Sequence, residues 1–201
     1  MRKLEEFFGL TFDDKDLLET ALTHSSYANE HNTESNERLE YMGDAVLDLL
    51  MGEYLYKKFP KRQEGALTKM RAKNVCESAL VEYAKRCDLK DYLLLGKGEE
   101  MSGGRNRSAL QADAFEALLG AIYLDKGLEE VRKVFDKVVV PTVESDKVDN
   151  FVRCFLAQSM PVRCRSRYRS LPRSVARKAM STRSASSSIA ATRQSCYILT
   201  R

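Results

Sequence analysis

The chain has 201 residues, 43% of them apolar and 31% charged, enough for one domain with a sizeable core plus a smaller segment. No apolar run approaches the roughly 18 residues of a membrane span. The start, Met1-Arg2-Lys3-Leu4-Glu5-Glu6, turns acidic before a signal-peptide apolar region could form, so a cytoplasmic protein without a membrane partner is expected. The five cysteines, at 76, 87, 154, 164 and 196, never fall in a Cys-x-x-Cys pair, which argues for reduced thiols over a disulfide framework or zinc site.

The net charge of +4 conceals a division. Residues 1–150 carry 22 Lys and Arg against 29 Asp and Glu, a balance of −7, whereas residues 151–201 carry 11 basic residues and no acidic one. Ten of those eleven are arginines, and ten serines accompany them.

The first region reads as all-α. Asp13 and Asp14 precede Leu17, Leu18 and Leu22, which predicts an N-cap and an amphipathic helix to about Tyr27. A polar loop over 29–35 follows, then a long helix from about Asn36 to Phe59, stopped by Pro60. Another helix is predicted from Glu64 and Gly65 through Met70, Val75 and Leu80 to Tyr83. Gly96, Gly98, Gly103 and Gly104 mark a mobile loop rich in polar residues. Ser108 and Gln111 fit a capping box that opens a helix over 109–124, and a last helix is predicted over 128–139, ended by Pro141. No segment alternates convincingly as a strand.

The long helix carries acidic residues at 37, 40, 44 and 48, spaced so that they share one stripe. Leu39, Met42, Val46, Leu49 and Leu50 are predicted as its apolar face. No lysine or arginine lies between Arg38 and Lys57 to offset the charge. Such a stripe is stable when it faces open water or when a cation stands before it. Asp113 and Glu116 repeat the pattern three residues apart, among Phe115, Leu118 and Leu119. The small residues Gly43, Ala45, Ala112, Ala114 and Ala117 would let the two helices approach closely. Carboxylates without histidine or cysteine suit magnesium or manganese. A di-iron bundle would need Glu-x-x-His on two helices, and His24 and His31 do not supply it.

The run Asn36-Glu37-Arg38-Leu39-Glu40-Tyr41-Met42-Gly43-Asp44-Ala45-Val46-Leu47-Asp48 resembles the signature of the ribonuclease III family. Ala21-Leu22-Thr23-His24-Ser25-Ser26-Tyr27 resembles the segment before it in bacterial members, and Leu95 to Glu100, Ser102 to Asn106 and Ala112 to Tyr123 resemble the later block. The resemblance covers roughly residues 4–140 in the family's order and spacing. It implies an all-helical endonuclease domain over 1–145 that forms a homodimer, with the signature helix in the subunit contact.

Carried over by position, the resemblance makes Glu40, Asp44, Asp113 and Glu116 metal ligands, with Asp44 and Glu116 catalytic. Glu37 and Glu64 match positions near the scissile strand, and Lys97, Arg105 and Arg107 could meet phosphates. The implied reaction is magnesium-dependent hydrolysis of double-stranded RNA, with manganese an acceptable substitute. Its products would carry 5′-phosphate and 3′-hydroxyl ends, and its substrates would include ribosomal RNA precursors and other structured transcripts. Two ions about 3.5–4 Å apart would lie within reach of four clustered carboxylates. His24 is read as a packing or capping residue instead of a base. The alternative is a non-catalytic protein that binds double-stranded RNA or dimerises on the same scaffold; the intact carboxylate quartet favours the enzyme.

Bacterial members carry a second, duplex-RNA-binding domain whose helix and strand pattern is not recognisable after about Lys147. Residues 146–201 are expected to form an irregular or disordered Arg/Ser-rich tail in its place. An altered reading frame in the codons of that domain would explain the abrupt change in composition. A disordered arm that binds RNA through counterion release is the other explanation, and the two are compatible.

Overall fold

The structure, a computed structural model, describes residues 2–145, so the expectations for the tail lie outside the described residues. Two helices dominate the interior. Helix α4 (Glu37–Lys58) and helix α8 (Ser108–Lys126) pack along each other, with α8 in the middle of the fold. Gln111, Ala112, Ala114, Phe115 and the whole run Ala117 to Ile122 are buried, so α8 is enclosed on nearly every side. A helix that is apolar almost all round needs such an enclosure.

The surrounding elements supply it. Helix α1 (Arg2–Phe8) contributes Leu4 and Phe8 to the core, and α2 (Lys15–Leu22) contributes Leu18, Ala21 and Leu22 against α8. Asp14 caps α2 by accepting from the N–H groups of Asp16 and Leu17 at 2.9 and 3.4 Å. The Asp125 carboxylate, at the far end of α8, accepts from the N–H groups of Asp13 and Asp14, both at 3.0 Å. The helix predicted to reach Tyr27 is instead two. The Thr23 backbone is extended and forms a parallel bridge with Leu94, and α3 (Ser25–His31) then restarts. Leu94 N–H donates to the Leu22 carbonyl at 2.8 Å, His24 N–H to Leu94 at 3.0 Å, and Asn36 N–H to Thr23 at 2.9 Å. These long-range bonds outweigh continued helix. His24 caps α3, its Nδ1 accepting from Ser26 N–H, as the capping reading expected.

The helix expected over 64–83 is likewise interrupted. Helix α5 (Glu64–Asn74) gives way at Val75 and Cys76 to α6 (Glu77–Arg86). The buried Tyr83 hydroxyl donates to the Asn74 carbonyl at 2.9 Å, satisfying an end-of-helix acceptor. Tyr83 also packs on Phe115, with ring centroids 5.7 Å apart, and so seats α6 on α8.

The glycine-rich segment is a compact pair of turns and not an open loop: helix α7 (Lys97–Met101) and a 3-10 turn at Gly104–Asn106. The capping box does not form. Ser108 is already inside α8, and Gln111 is buried with its Nε2 donating to the Arg105 carbonyl at 3.0 Å. Helix α9 (Leu128–Val134) follows α8 across Gly127, whose φ of +81° suits glycine. It does not end at Pro141. A π-helical stretch, Phe135–Val139, intervenes, and helix continues through Pro141. Val140 N–H donates five residues back to Phe135, a widened turn of the kind that relieves the clash a proline makes with the preceding turn.

Chain contacts group Met1–Val143 as one compact unit, to which these elements belong. Among the described residues no helix is long and apolar enough to cross a membrane.

Candidate active site

Helices α4 and α8 cross with almost no side chain between them. A Cβ added to Gly43 would lie 1.8 Å from the Glu116 carbonyl oxygen, and one added to Gly120 would lie 2.2 Å from that of Leu39. The crossing therefore requires glycine on both helices. Gly43 does what its small size suggested. Ala45 does not, because it is exposed, and Gly120 takes the corresponding place on α8. Leu49 also departs from expectation: it is 57% exposed, and Leu47 and Met51 fill the core in its stead.

The close crossing brings the carboxylates of both helices into one electrostatic neighbourhood. Glu116 is half-buried on α8, and its carboxyl is pushed up to about 8 by burial first, then by Asp44, Glu40, Asp113 and Asp48. Burial and then Asp113, Glu37 and Asp44 raise Glu40. Asp113 is raised by burial and Glu77, with His24 acting in the opposite direction. Asp44 and Glu37 are exposed on α4 beside them. Each helix thus destabilises the ionised form of carboxylates on the other, the signature of like charges held in proximity.

The donor set consists of hard oxygen ligands and fits magnesium or manganese. Among the described residues no three His, Cys, Asp or Glu side chains close round a common point as they stand. Like-charged carboxylates resist that approach unless a cation accompanies it.

The remaining sequence-derived residues are placed differently. Glu64 opens α5, exposed, and accepts from the Thr68 hydroxyl at 2.7 Å. Arg105 is committed to its own loop: Nε and Nη2 donate to Glu100 at 3.0 and 2.6 Å, and Nη1 to the Lys90 carbonyl at 2.6 Å. Arg107 pairs with Glu99 at 2.8 Å. Both guanidinium groups hold the turn together, and Glu99 packs against Gly104, where an added Cβ would lie 2.3 Å from Oε1. Lys97 anchors α7 through its N–H, which donates to Glu30 at 2.8 Å, and its side chain is exposed. Asp48 has no role in the resemblance, and no sequence pattern points to Arg71, which approaches it from α5 at 3.7 Å. Twenty-three positions separate the two, and no helical periodicity links them.

The family model described as Ribonuclease-III-like matches residues 14–143. The chain belongs to the ribonuclease III family. Ribonuclease 3 of Streptococcus uberis is 51% identical over 154 residues, 74% of this chain and 67% of that protein. Ribonuclease 3 of Streptococcus pneumoniae strain P1031 is 52% identical over 149 residues, 73% of this chain and 64% of that protein. Among solved structures, the nuclease domain of ribonuclease III from Campylobacter jejuni superposes with a TM-score of 0.66 at 41% identity, covering 70% of this chain and 96% of that one. That structure is described as showing flexibility in a region involved in dimer formation. The described residues of this chain accordingly form the helical nuclease domain of a ribonuclease, as the resemblance implied.

Proposed function

We propose that this ribonuclease III family member is a divalent-metal-dependent endonuclease of double-stranded RNA, acting in the cytoplasm on ribosomal RNA precursors and other structured transcripts. The observation that carries the reading is the close crossing at Gly43 and Gly120, which in a ribonuclease III nuclease domain sets Glu40 and Asp44 of α4 beside Asp113 and Glu116 of α8, with the Glu116 carboxyl pushed up to about 8 by burial and by those neighbours. Isolated surface carboxylates have no such neighbours.

Glu40, Asp44, Asp113 and Glu116 would hold magnesium, with manganese as a substitute. A metal held by these four carboxylates would supply Lewis-acid chemistry, lowering the pKa of a water and offsetting charge on the departing 3′-oxygen. The protein's own part is to fix the oxygen donors. The Gly43 backbone seats against the Glu116 carbonyl and sets the separation of the helices, while buried Ala112, Ala114 and Phe115 anchor the inner side of α8. Glu37 and Glu64, exposed at the starts of their helices, keep the place near the scissile strand that the family resemblance gives them, and Lys97 offers an exposed charge for phosphate. Cleavage would leave 5′-phosphate and 3′-hydroxyl ends.

A homodimer completes the reading. Tyr41, Leu49 and Tyr56 are large, exposed and within one stripe of α4. A twofold axis there would give each strand of a duplex its own site. Purified protein incubated with long duplex RNA and magnesium at low salt should cleave it, and Glu116→Gln should be at least about 100-fold slower. No cleavage by the parent, or equal cleavage by Glu116→Gln, would overturn the proposal.

A further inference from the structure

His24 is held in place by backbone contacts from three segments. It follows α2, which packs on α8, and Thr23 at the end of α2 bridges Leu94. The His24 N–H donates to the Leu94 carbonyl at 3.0 Å, and the Thr23 carbonyl accepts from Asn36 N–H at 2.9 Å. The Asn36 carbonyl in turn accepts from Glu40 N–H at 2.9 Å, so the first turn of α4, with Glu40, hangs from the residue before His24. On the α8 side, Asp113 has two charge neighbours: Glu77 of α6, which repels it, and His24, which attracts it. No described lysine or arginine forms an ion pair with Asp113. The junction at residues 23 and 24 thus meets one half of the carboxylate set through hydrogen bonds and the other through charge.

The ring itself is fixed. Ser26 N–H donates to His24 Nδ1 at 3.2 Å, and Ser26 Oγ lies 2.8 Å from the same nitrogen while accepting from Gly96 N–H at 2.9 Å. With Nδ1 occupied as an acceptor, the neutral imidazole carries its proton on Nε2. Among the described residues Nε2 has no hydrogen-bond partner. Capping of α3 therefore uses one ring nitrogen and leaves the other, a donor, unused.

We propose that His24 is a positioning residue of the metal site, whose Nε2–H orients the Asp113 carboxylate for the ion while Nδ1 caps α3. The inference rests on the metal-site reading above. Ligating carboxylates are themselves held by hydrogen bonds, and loss of such a partner weakens metal binding about 10–100-fold.

Substitution separates the two nitrogens. An asparagine amide reaches the place of Nδ1 and is a good N-cap, whereas a glutamine amide reaches the place of Nε2 and caps poorly. Mn2+ is titrated into the full chain and the free ion read by electron paramagnetic resonance. His24→Asn should bind at least about tenfold more weakly than the parent, with metal-free melting no lower. His24→Gln should show the reverse, with Mn2+ affinity within about threefold of the parent and metal-free melting lowered by about 2–4 °C. In an Asp113→Asn background, His24→Asn should weaken binding no further, because its effect passes through Asp113. Binding by His24→Asn equal to the parent's would overturn the positioning role. Equal weakening by both variants, or an additive loss in the double variant, would do the same. A parent that binds no Mn2+ would overturn the metal-site reading and this inference together, an outcome distinct from a parent and His24→Asn that bind alike.

Discussion

Glu116 shows what the fold demands of a single side chain. Burial and four neighbouring carboxylates push its carboxyl from the ordinary 4.5 up to about 8. The unfolded chain therefore ionises this group more readily than the folded one does. Its contribution to stability is full below about pH 4.5 and is lost as pH rises through about 8. Glu116→Gln removes the ionisation while keeping the shape. In metal-free protein its melting temperature should exceed that of the parent by a margin that widens from pH 5 to pH 9 or so; a margin independent of pH would show that Glu116 titrates normally. The residue types were legible in the sequence because carboxylates three and four apart on a helix must share a stripe. The commitment of Arg105 and Arg107 to Glu100 and Glu99 was not, because it depends on how a glycine-rich turn closes.

At the scale of elements, the candidate site depends on α4 and α8 touching backbone to backbone at Gly43 and Gly120. Gly43→Ala and Gly120→Ala would place a methyl carbon 1.8 and 2.2 Å from opposing carbonyl oxygens, which neither helix can yield without moving. Each should cost about 3 kcal/mol or more in urea unfolding and remove cleavage, because separation of the helices also separates the carboxylates. Gly65→Ala is the contrasting case. Nothing lies within 4 Å of its added Cβ, so the change should stabilise by about 0.5–1 kcal/mol through helix propensity. The principal helices were readable from apolar periodicity and from Pro60. The breaks at Thr23 and Val75 were not, because the first rests on a bridge to Leu94 and the second on a hydroxyl bond from Tyr83 to Asn74. Pro141 misled for a related reason: a π-helical turn accommodates it.

For the molecule as a whole, the exposed stripe Tyr41, Leu49 and Tyr56 leaves α4 divided between a carboxylate face and an apolar outer face. In the proposed homodimer these are the side chains a second copy would cover. Tyr41, at 80% exposure, is the most open of the three. If the proposed homodimer forms through this stripe, the parent sediments as a dimer and Tyr41→Asp shifts it toward monomer in sedimentation velocity with little change in melting of the monomer; a monomeric parent would contradict the dimer, and an unchanged sedimentation coefficient in the variant would remove α4 from the contact. The division between an acidic first region and a basic tail was plain from composition, and Gly43 marked one side of the helix contact, while its counterpart Gly120 needed three dimensions.

The proposed metal site draws its ligands from both α4 and α8. Mn2+ binding to the full chain, followed by electron paramagnetic resonance of the free ion, tests it without recourse to RNA. The parent should bind Mn2+, and Asp44→Asn and Asp113→Asn, one from each helix, should each weaken binding at least about tenfold. Binding by Asp113→Asn equal to that of the parent would contradict it, since α8 would then contribute nothing to the ion.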